Sequence, residues 1–251
     1  MAPGDPLGWI LPKVAILTGL APQTPVLCGI HDSNASLLPH IRDRTPPFSV
    51  VSTGTWVVSM AMGGLSVPLD PIRDTLVNVN AFGAPVPSAR FMGGREFDAI
   101  LQGQSGTATQ DDISTVANRG IMLLPAVQPG SGPFPDRQAR WTAEDRAPGQ
   151  TEVAMGYYLA LMTAECLQMI GAQGPAIVEG PFARNPHFTA MLASAIDRPV
   201  IASAAQTGTA VGAALLFQPS GAPTSHPAET PIRPDPALAA YAARWRRLVQ
   251  G

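Results

Sequence analysis

The chain is predicted to fold as a layered α/β domain, on three observations. Apolar runs of strand length at 26–30, 48–52 and 56–61 crowd its first part. From residue 152 onward, helix-length segments alternate with three-residue apolar runs at 176–178 and 200–202, the order that gives helices packed on a sheet. With 251 residues of which 45% are hydrophobic, a substantial core can be buried.

Each element has its own local reason. Residues 1–24 read as a connector ending in the turn-rich TGLAPQT. Residues 26–30 form a short buried strand, and 32–41 a helix of about three turns. The runs 48–52 and 56–61 flank Thr53-Gly54-Thr55 as a β-hairpin. A further strand is expected over 75–82, helices over 94–102 and 111–118, and a strand-length apolar run at 121–125. Residues 126–150 are the least regular stretch and read as a long loop, uncommon in a compact domain unless it is functional. The clearest helix covers 152–170, with Val153, Tyr157, Leu161, Ala164 and Leu167 on one stripe. Asn185 caps the next helix, with Pro186 at its first position and Phe188, Met191, Leu192, Ala195 and Ile196 on its buried face. A helix of very small residues follows at 208–217, then a Pro-rich linker at 219–234. The last helix, at 237–248, carries Arg244, Arg246 and Arg247 near its C-terminal end, where positive charge suits the dipole.

Composition narrows the function. Sixteen basic against 18 acidic residues leave a formal charge of −2, which gives no footing for nucleic acid or an anionic membrane surface. Cys28 and Cys166 are the two cysteines; both sit in apolar stretches and read as buried free thiols, a usage that fits the cytoplasm. The opening MAPGDPLGWILPK lacks the basic and apolar blocks of a signal peptide. No apolar run reaches the roughly 18 residues of a membrane span. The 27 prolines and 24 glycines fall between periodic segments without repeating, so they mark turns.

Few residues could carry chemistry. Asp32, after a strand and beside His31, could accept a hydroxyl proton during phosphoryl transfer; it could equally be the N-cap of the helix that follows. Thr53-Gly54-Thr55 could aim backbone N–H groups and hydroxyls at phosphate oxygens, or be an ordinary hairpin turn. The connection from Glu179 through Gly180 to Asn185 joins a strand to a helix start, where anions are favoured and a glycine permits close approach. The small-residue helix allows a close backbone contact, either with a ligand-bearing neighbour or as plain packing. Arg90, Arg95 and Glu96 surround a Gly-Gly turn, as an anion site or as a solvated loop with an Arg–Glu pair. His31 could orient Asp32 or touch a polar substrate. His40, His187 and His226 have no metal-ligand spacing, so no protein-held metal is expected. A metal-dependent hydrolase built on Asp32 and His31 would need a second carboxylate cluster, which is missing.

Taken in order, TGLAPQTPVLCGIHDSNAS, SVVSTGTWVVSM, VEGPFARNPHFTAMLASAIDRPV and QTGTAVGAALL resemble the C-terminal half of the FGGY carbohydrate kinases, in the rhamnulokinase and fuculokinase branch of the sugar kinase and actin superfamily. The resemblance spans residues 14–217. It implies a ribonuclease-H-like (actin-like ATPase) α/β domain, a mixed sheet with helices on both faces, at 25–218. Residues 1–24 would then be a connector from a missing N-terminal kinase domain, and 219–251 a linker and terminal helix. It implies ATP-dependent phosphorylation of a ketose or polyol hydroxyl, with Asp32 as base and with His31 and Asp32 at the sugar. Thr53, Gly54 and Thr55 would meet the phosphates, and Gly180, Ala183 and Asn185 the adenosine. Mg²⁺ would ride on the phosphates. Two departures stand out: Glu179-Gly180 where a Gly pair is usual, and Arg90 and Asp98 where rhamnulokinases carry Asn and Gln. They suggest a separate subgroup. A different class also fits the absent first domain: a truncated, non-catalytic nucleotide-binding or assembly module. In either case surface meant for the absent domain would be exposed, so self-association into a homo-oligomer is expected.

Overall fold

The computed structural model describes residues 1–102, 107–203, 208–217 and 229–251. In chain order, β1 (Pro6–Trp9) and helix α1 (Pro12–Thr18) lie inside the stretch read as a connector. Pro12 suits the first helical position, and α1 closes at Gly19 in the left-handed region. β2 (Pro25–Leu27) and α2 (Asp32–Asp43) follow. The hairpin strands β3 (Phe48–Thr53) and β4 (Val57–Met62) come next, as expected. β5 (Thr75–Val79) ends earlier than the 75–82 run suggested, because Asn80 turns the chain by accepting from the Phe82 and Ala84 amides. β6 (Pro85–Phe91), α3 (Gly93–Leu101) and α4 (Gln110–Arg119) complete the first half. Then come β7 (Leu123–Leu124), β8 (Arg140–Trp141), α5 (Pro148–Met169), β9 (Ala176–Glu179), α6 (Pro186–Ile196), β10 (Val200–Ala202), α7 (Gly208–Leu215) and α8 (Pro236–Gln250). Part of the expected linker, 219–228, lies outside the described residues, as do His226 and, in the small-residue motif, Gln206 and Thr207.

Contacts divide the chain into two units. The first comprises Met1–Arg44, Val79–Pro85 and Thr207–Ser225. Within it β1 and β2 form a two-stranded antiparallel ribbon, Pro6 opposite Leu27 and Trp9 opposite Pro25. β2 was expected to be buried; Pro25 and Val26 are instead exposed, since a lone ribbon has no further strands to enclose it. In the same unit α7 packs on α2, with Gly212 directly against the Ala35 carbonyl. The small residues of α7 therefore serve close packing between two helices.

The second unit, Thr45–Asn78, Val86–Gln206 and His226–Gly251, holds a six-stranded mixed sheet in the order β10-β9-β3-β4-β6-β5. β3 pairs parallel with β9, and β9 with β10, while β3–β4 and β4–β6 are antiparallel. β6 escapes sequence reading because Pro85 and Pro87 argue against a strand; both fall outside its registered pairing with β4, which uses residues 88–91. The 121–125 run contributes only the two residues of β7, paired with β8 from within the supposed loop.

α5 is the centre of this unit. The expected single stripe understates it: fifteen of its residues are buried, so it is enclosed by neighbours on nearly all sides. It packs against α3, α4, α6, β4 and β7. α8 is fastened by two buried hydrogen bonds, from the Tyr241 hydroxyl to the Ile121 carbonyl (2.6 Å) and from the Trp245 indole to the Leu123 carbonyl (2.8 Å). No helix among the described residues is long and apolar enough to cross a membrane.

Candidate functional site

In the first unit His31 and Asp32 sit at the start of α2. His31 occupies the cap position but its side chain makes no capping bond, so Asp32 is the first helical residue and not the N-cap. Its carboxylate accepts from the Ser33 amide (2.6 Å) and lies 2.8 Å from His31 Nδ1. Both side chains are about three-quarters exposed, 75% and 72%. A carboxylate so placed keeps lone pairs open to solvent and is positioned by an imidazole, the minimum a proton acceptor needs.

In the second unit the parallel pairing of β3 with β9 sets Ser52 opposite Glu179 and so brings Thr53 beside Gly180. The buried Thr53 hydroxyl donates to the Glu179 carbonyl (2.5 Å) and accepts from the Phe182 amide (3.1 Å). Gly180 has φ +84°, and a Cβ there would overlap the Thr53 carbonyl oxygen, so only glycine fits. Above this lock the chain turns tightly, the Gly54 amide bonding the Trp56 carbonyl at 2.9 Å, and leaves Gly54 and Thr55 exposed.

The start of α3 meets the same turn. Gly94 lies against the Gly54 carbonyl, with Thr55 Cα 3.0 Å from where a Cβ would stand. The cap residue Met92 makes no side-chain bond to the first N–H groups of α3, which leaves them to find partners elsewhere. Phe97 of α3 contacts Phe182 (centroids 5.7 Å apart), and Phe182 contacts Phe188 of α6 (5.5 Å). Three rings thus tie α3, the 181–184 turn and α6 together. Ala183 is buried in that turn. Asn185 is the N-cap of α6 as expected, its Oδ1 accepting from the His187 and Phe188 amides. Its carbonyl oxygen is therefore committed, and only its amide nitrogen remains for a ligand.

Glu96, in the first turn of α3, is not half of a solvated Arg–Glu pair, because its side chain is buried. It is 1% exposed. One carboxyl oxygen accepts from the Gln128 amide at 3.0 Å, and the other has no hydrogen-bond partner. Burial pushes its pKa up to about 7, against the smaller lowering effects of the Gln128 amide and the Tyr158 hydroxyl. Arg90 belongs to β6, stacks on Trp56 at 4.7 Å and pairs with Asp74.

Sequence reading thus found the turn, the Gly180 connection and the cap. It singled out Glu96 at the Gly-Gly turn but not its burial, and it missed the seating of Gly94 on Gly54; the signal available was Gly93-Gly94 opening a helix whose fourth residue is acidic. Among the described residues no group of three His, Cys, Asp or Glu could hold a metal ion.

Comparison with known proteins gives the chain's family. Residues 45–226 match the family described as carbohydrate kinase FGGY, C-terminal domain. Among solved structures, a carbohydrate kinase from Novosphingobium aromaticivorans is 34% identical, with TM-score 0.83 over 99% of this chain and 57% of that one. A xylulose kinase from Rhodospirillum rubrum (21% identity, TM-score 0.71, 100% of this chain and 55% of that one) shares the fold. So does the glycerol kinase of Plasmodium falciparum, solved with ADP (14%, 0.71, 99% and 55%). The chain therefore spans a little over half the length of these structures. None of the curated proteins searched matches it.

Proposed function

Because the chain belongs to the FGGY carbohydrate kinases, matching their C-terminal domain, we propose that it holds the phosphates of ATP and supplies the base in the phosphorylation of a sugar. Its fold is that of this domain, the α/β type of the actin-like ATPase superfamily. One observation carries the reading: the Thr53 hydroxyl locks the ends of β3 and β9, and the exposed Gly54-Thr55 turn rests on the uncapped start of α3. Rigid backbone donors of that kind suit phosphate oxygens.

In the proposed reaction a hydroxyl oxygen of the acceptor bonds to the γ-phosphorus as the bond from that phosphorus to the β–γ bridging oxygen breaks. ADP leaves with that electron pair, and the hydroxyl proton passes to Asp32. Thr53 fixes the turn from beneath; Gly54 and Thr55 face the phosphates. Gly180, Ala183 and the Asn185 amide nitrogen line the adenosine side. Mg²⁺ would arrive on the phosphates, as its reluctance to dehydrate favours. The named relatives act on xylulose and glycerol, which supports a polyhydroxylated acceptor, a ketose or polyol, for this chain as well. The length of the relatives beyond the matched part would supply the rest of the sugar site, and closure between domains would exclude water. A cytoplasmic setting, where ATP is abundant, is part of the proposal.

Isothermal titration of the chain with MgATP, run beside a coupled kinase assay over a panel of ketoses and polyols, tests this. Saturable binding weakened by Thr55→Ala supports the phosphate turn, and turnover supports the kinase. Absence of MgATP binding overturns the reading. Binding without turnover on any acceptor, alone or with the relatives' first domain added, favours a nucleotide-binding module.

A further inference from the structure

We infer that Glu96 is a positioning residue of the phosphate-holding corner, and that occupation of the Thr53–Thr55 turn is coupled to uptake of a proton by its carboxyl. The inference rests on the reading of that turn as the phosphate site.

The geometry argues for it in three steps. Glu96 lies two residues beyond Gly94, about 3 Å further along the axis of α3, and Gly94 is in direct contact with the Gly54 carbonyl. Its side chain runs inward, not to solvent, and binds the Gln128 amide in the stretch after β7, so it braces α3 from behind. The brace is sparsely satisfied: the carboxyl has the Gln128 amide at 3.0 Å and the neighbouring Tyr158 hydroxyl, and one of its oxygens lacks a well-formed hydrogen bond. A buried group left in that state is costly when ionised and marks a place where charge can change.

The groups that act on this carboxyl are few. From α5 comes the Tyr158 hydroxyl, pushed above its ordinary range mainly by burial and in part by the Glu96 charge; the Cys166 thiol of the same helix is raised mainly by burial, with Glu165 and Asp74 acting on it more than Glu96 does. From the stretch after β7 comes the Gln128 amide. The charged neighbours on its own helix, Arg95 and Asp98, are exposed. Ionised Glu96 is helped by the positive end of α3. Phosphate oxygens brought to the turn compete for that same positive end and add negative charge near the carboxyl. The carboxyl then holds its proton more firmly, and by reciprocity a proton on Glu96 tightens phosphate binding.

The test is calorimetry of the full chain with MgATP at pH 6, 7 and 8, each in two buffers of different ionisation heat. Wild type and Glu96→Gln are compared so that protons exchanged by the nucleotide itself cancel. Expected is net proton uptake in the wild type in excess of the variant at pH 7 and 8. Wild-type affinity should fall by up to about tenfold from pH 6 to 8, with the variant flat. Tyr158→Phe keeps the carboxyl but removes a hydroxyl that favours its ionised form, so the window should move to higher pH; this variant decides the matter if Glu96→Gln fails to fold. Equal proton uptake in wild type and Glu96→Gln, or an unmoved window in Tyr158→Phe, overturns the inference while leaving the phosphate turn intact. Absence of MgATP binding at every pH in all three proteins overturns the phosphate-turn reading, and the inference with it.

Discussion

Gly94 and Gly54 touch backbone to backbone: a Cβ on Gly94 would penetrate the Gly54 carbonyl oxygen and stand 3.0 Å from Thr55 Cα. The start of α3 and the β3–β4 turn are therefore one mechanical piece, and the side-chain-free contact is what allows it.

Gly94→Ala sets two effects against each other. Alanine is the better helix former by about 1 kcal/mol. The clash is with backbone, which cannot swing aside as a flexible side chain would, and overpacking of this kind costs about 1–3 kcal/mol. The clash should win or balance in stability, and in either case the turn must shift. Expected is a weakening of MgATP binding larger than any loss in urea stability implies. A variant that binds as the wild type does would separate the helix from the turn.

Thr53→Val removes a hydroxyl that serves two partners at once, the Glu179 carbonyl and the Phe182 amide. Both of these buried hydrogen bonds are lost in the variant, at a cost of about 1–3 kcal/mol. Thr53→Ser keeps the hydroxyl and gives up one methyl, about 1 kcal/mol. Urea unfolding should rank wild type, then Ser, then Val. A Val variant as stable as Ser would mean the hydroxyl is not what locks β3 to β9.

The contrast between these residues and Glu96 shows what a sequence can disclose here. Asn185 followed by Pro186 announces a helix start because capping is a local affair of three or four residues, and the structure has it so. The Thr53-Gly54-Thr55 turn is legible for the same reason. Glu96 is not, because its burial depends on Gln128 and Tyr158, 32 and 62 positions away, which no local pattern joins to it. β6 is hidden by prolines that its pairing avoids. The all-round burial of α5 follows from how many elements surround it, so a stripe of five residues under-reports it.

Glu96 also gives stability a pH dependence of definite sign. Its pKa rises from 4.5 to about 7 on folding, so between those values the folded chain holds a proton that the unfolded chain has released. Stability from this group is complete below about pH 4.5, declines as pH climbs, and is lost through pH 7. The span corresponds to roughly 3 kcal/mol at pH 8 relative to a group that stays neutral. Glu96→Gln should therefore be more stable than wild type at pH 8 and close to it at pH 5, as read by urea unfolding at both. A variant destabilised equally at both pH values would show that shape, not charge, governs the position.

Asp32→Asn tests the base with little structural cost. The side chain is 72% exposed and its role in the fold is to accept the Ser33 amide at the start of α2, which an asparagine oxygen can also do. Stability should change by no more than about 0.5 kcal/mol. The hydroxyl proton of the acceptor would lose its destination, however, because an amide cannot take it up at neutral pH. In a preparation that phosphorylates a sugar, turnover should drop by about 10²–10⁴ while MgATP affinity is kept, since the phosphate turn is untouched. Paired measurement of kcat and of MgATP affinity on the same variant separates the two roles. Turnover at the wild-type rate would remove Asp32 from the reaction and return the His31–Asp32 pair to the ordinary chemistry of a helix start.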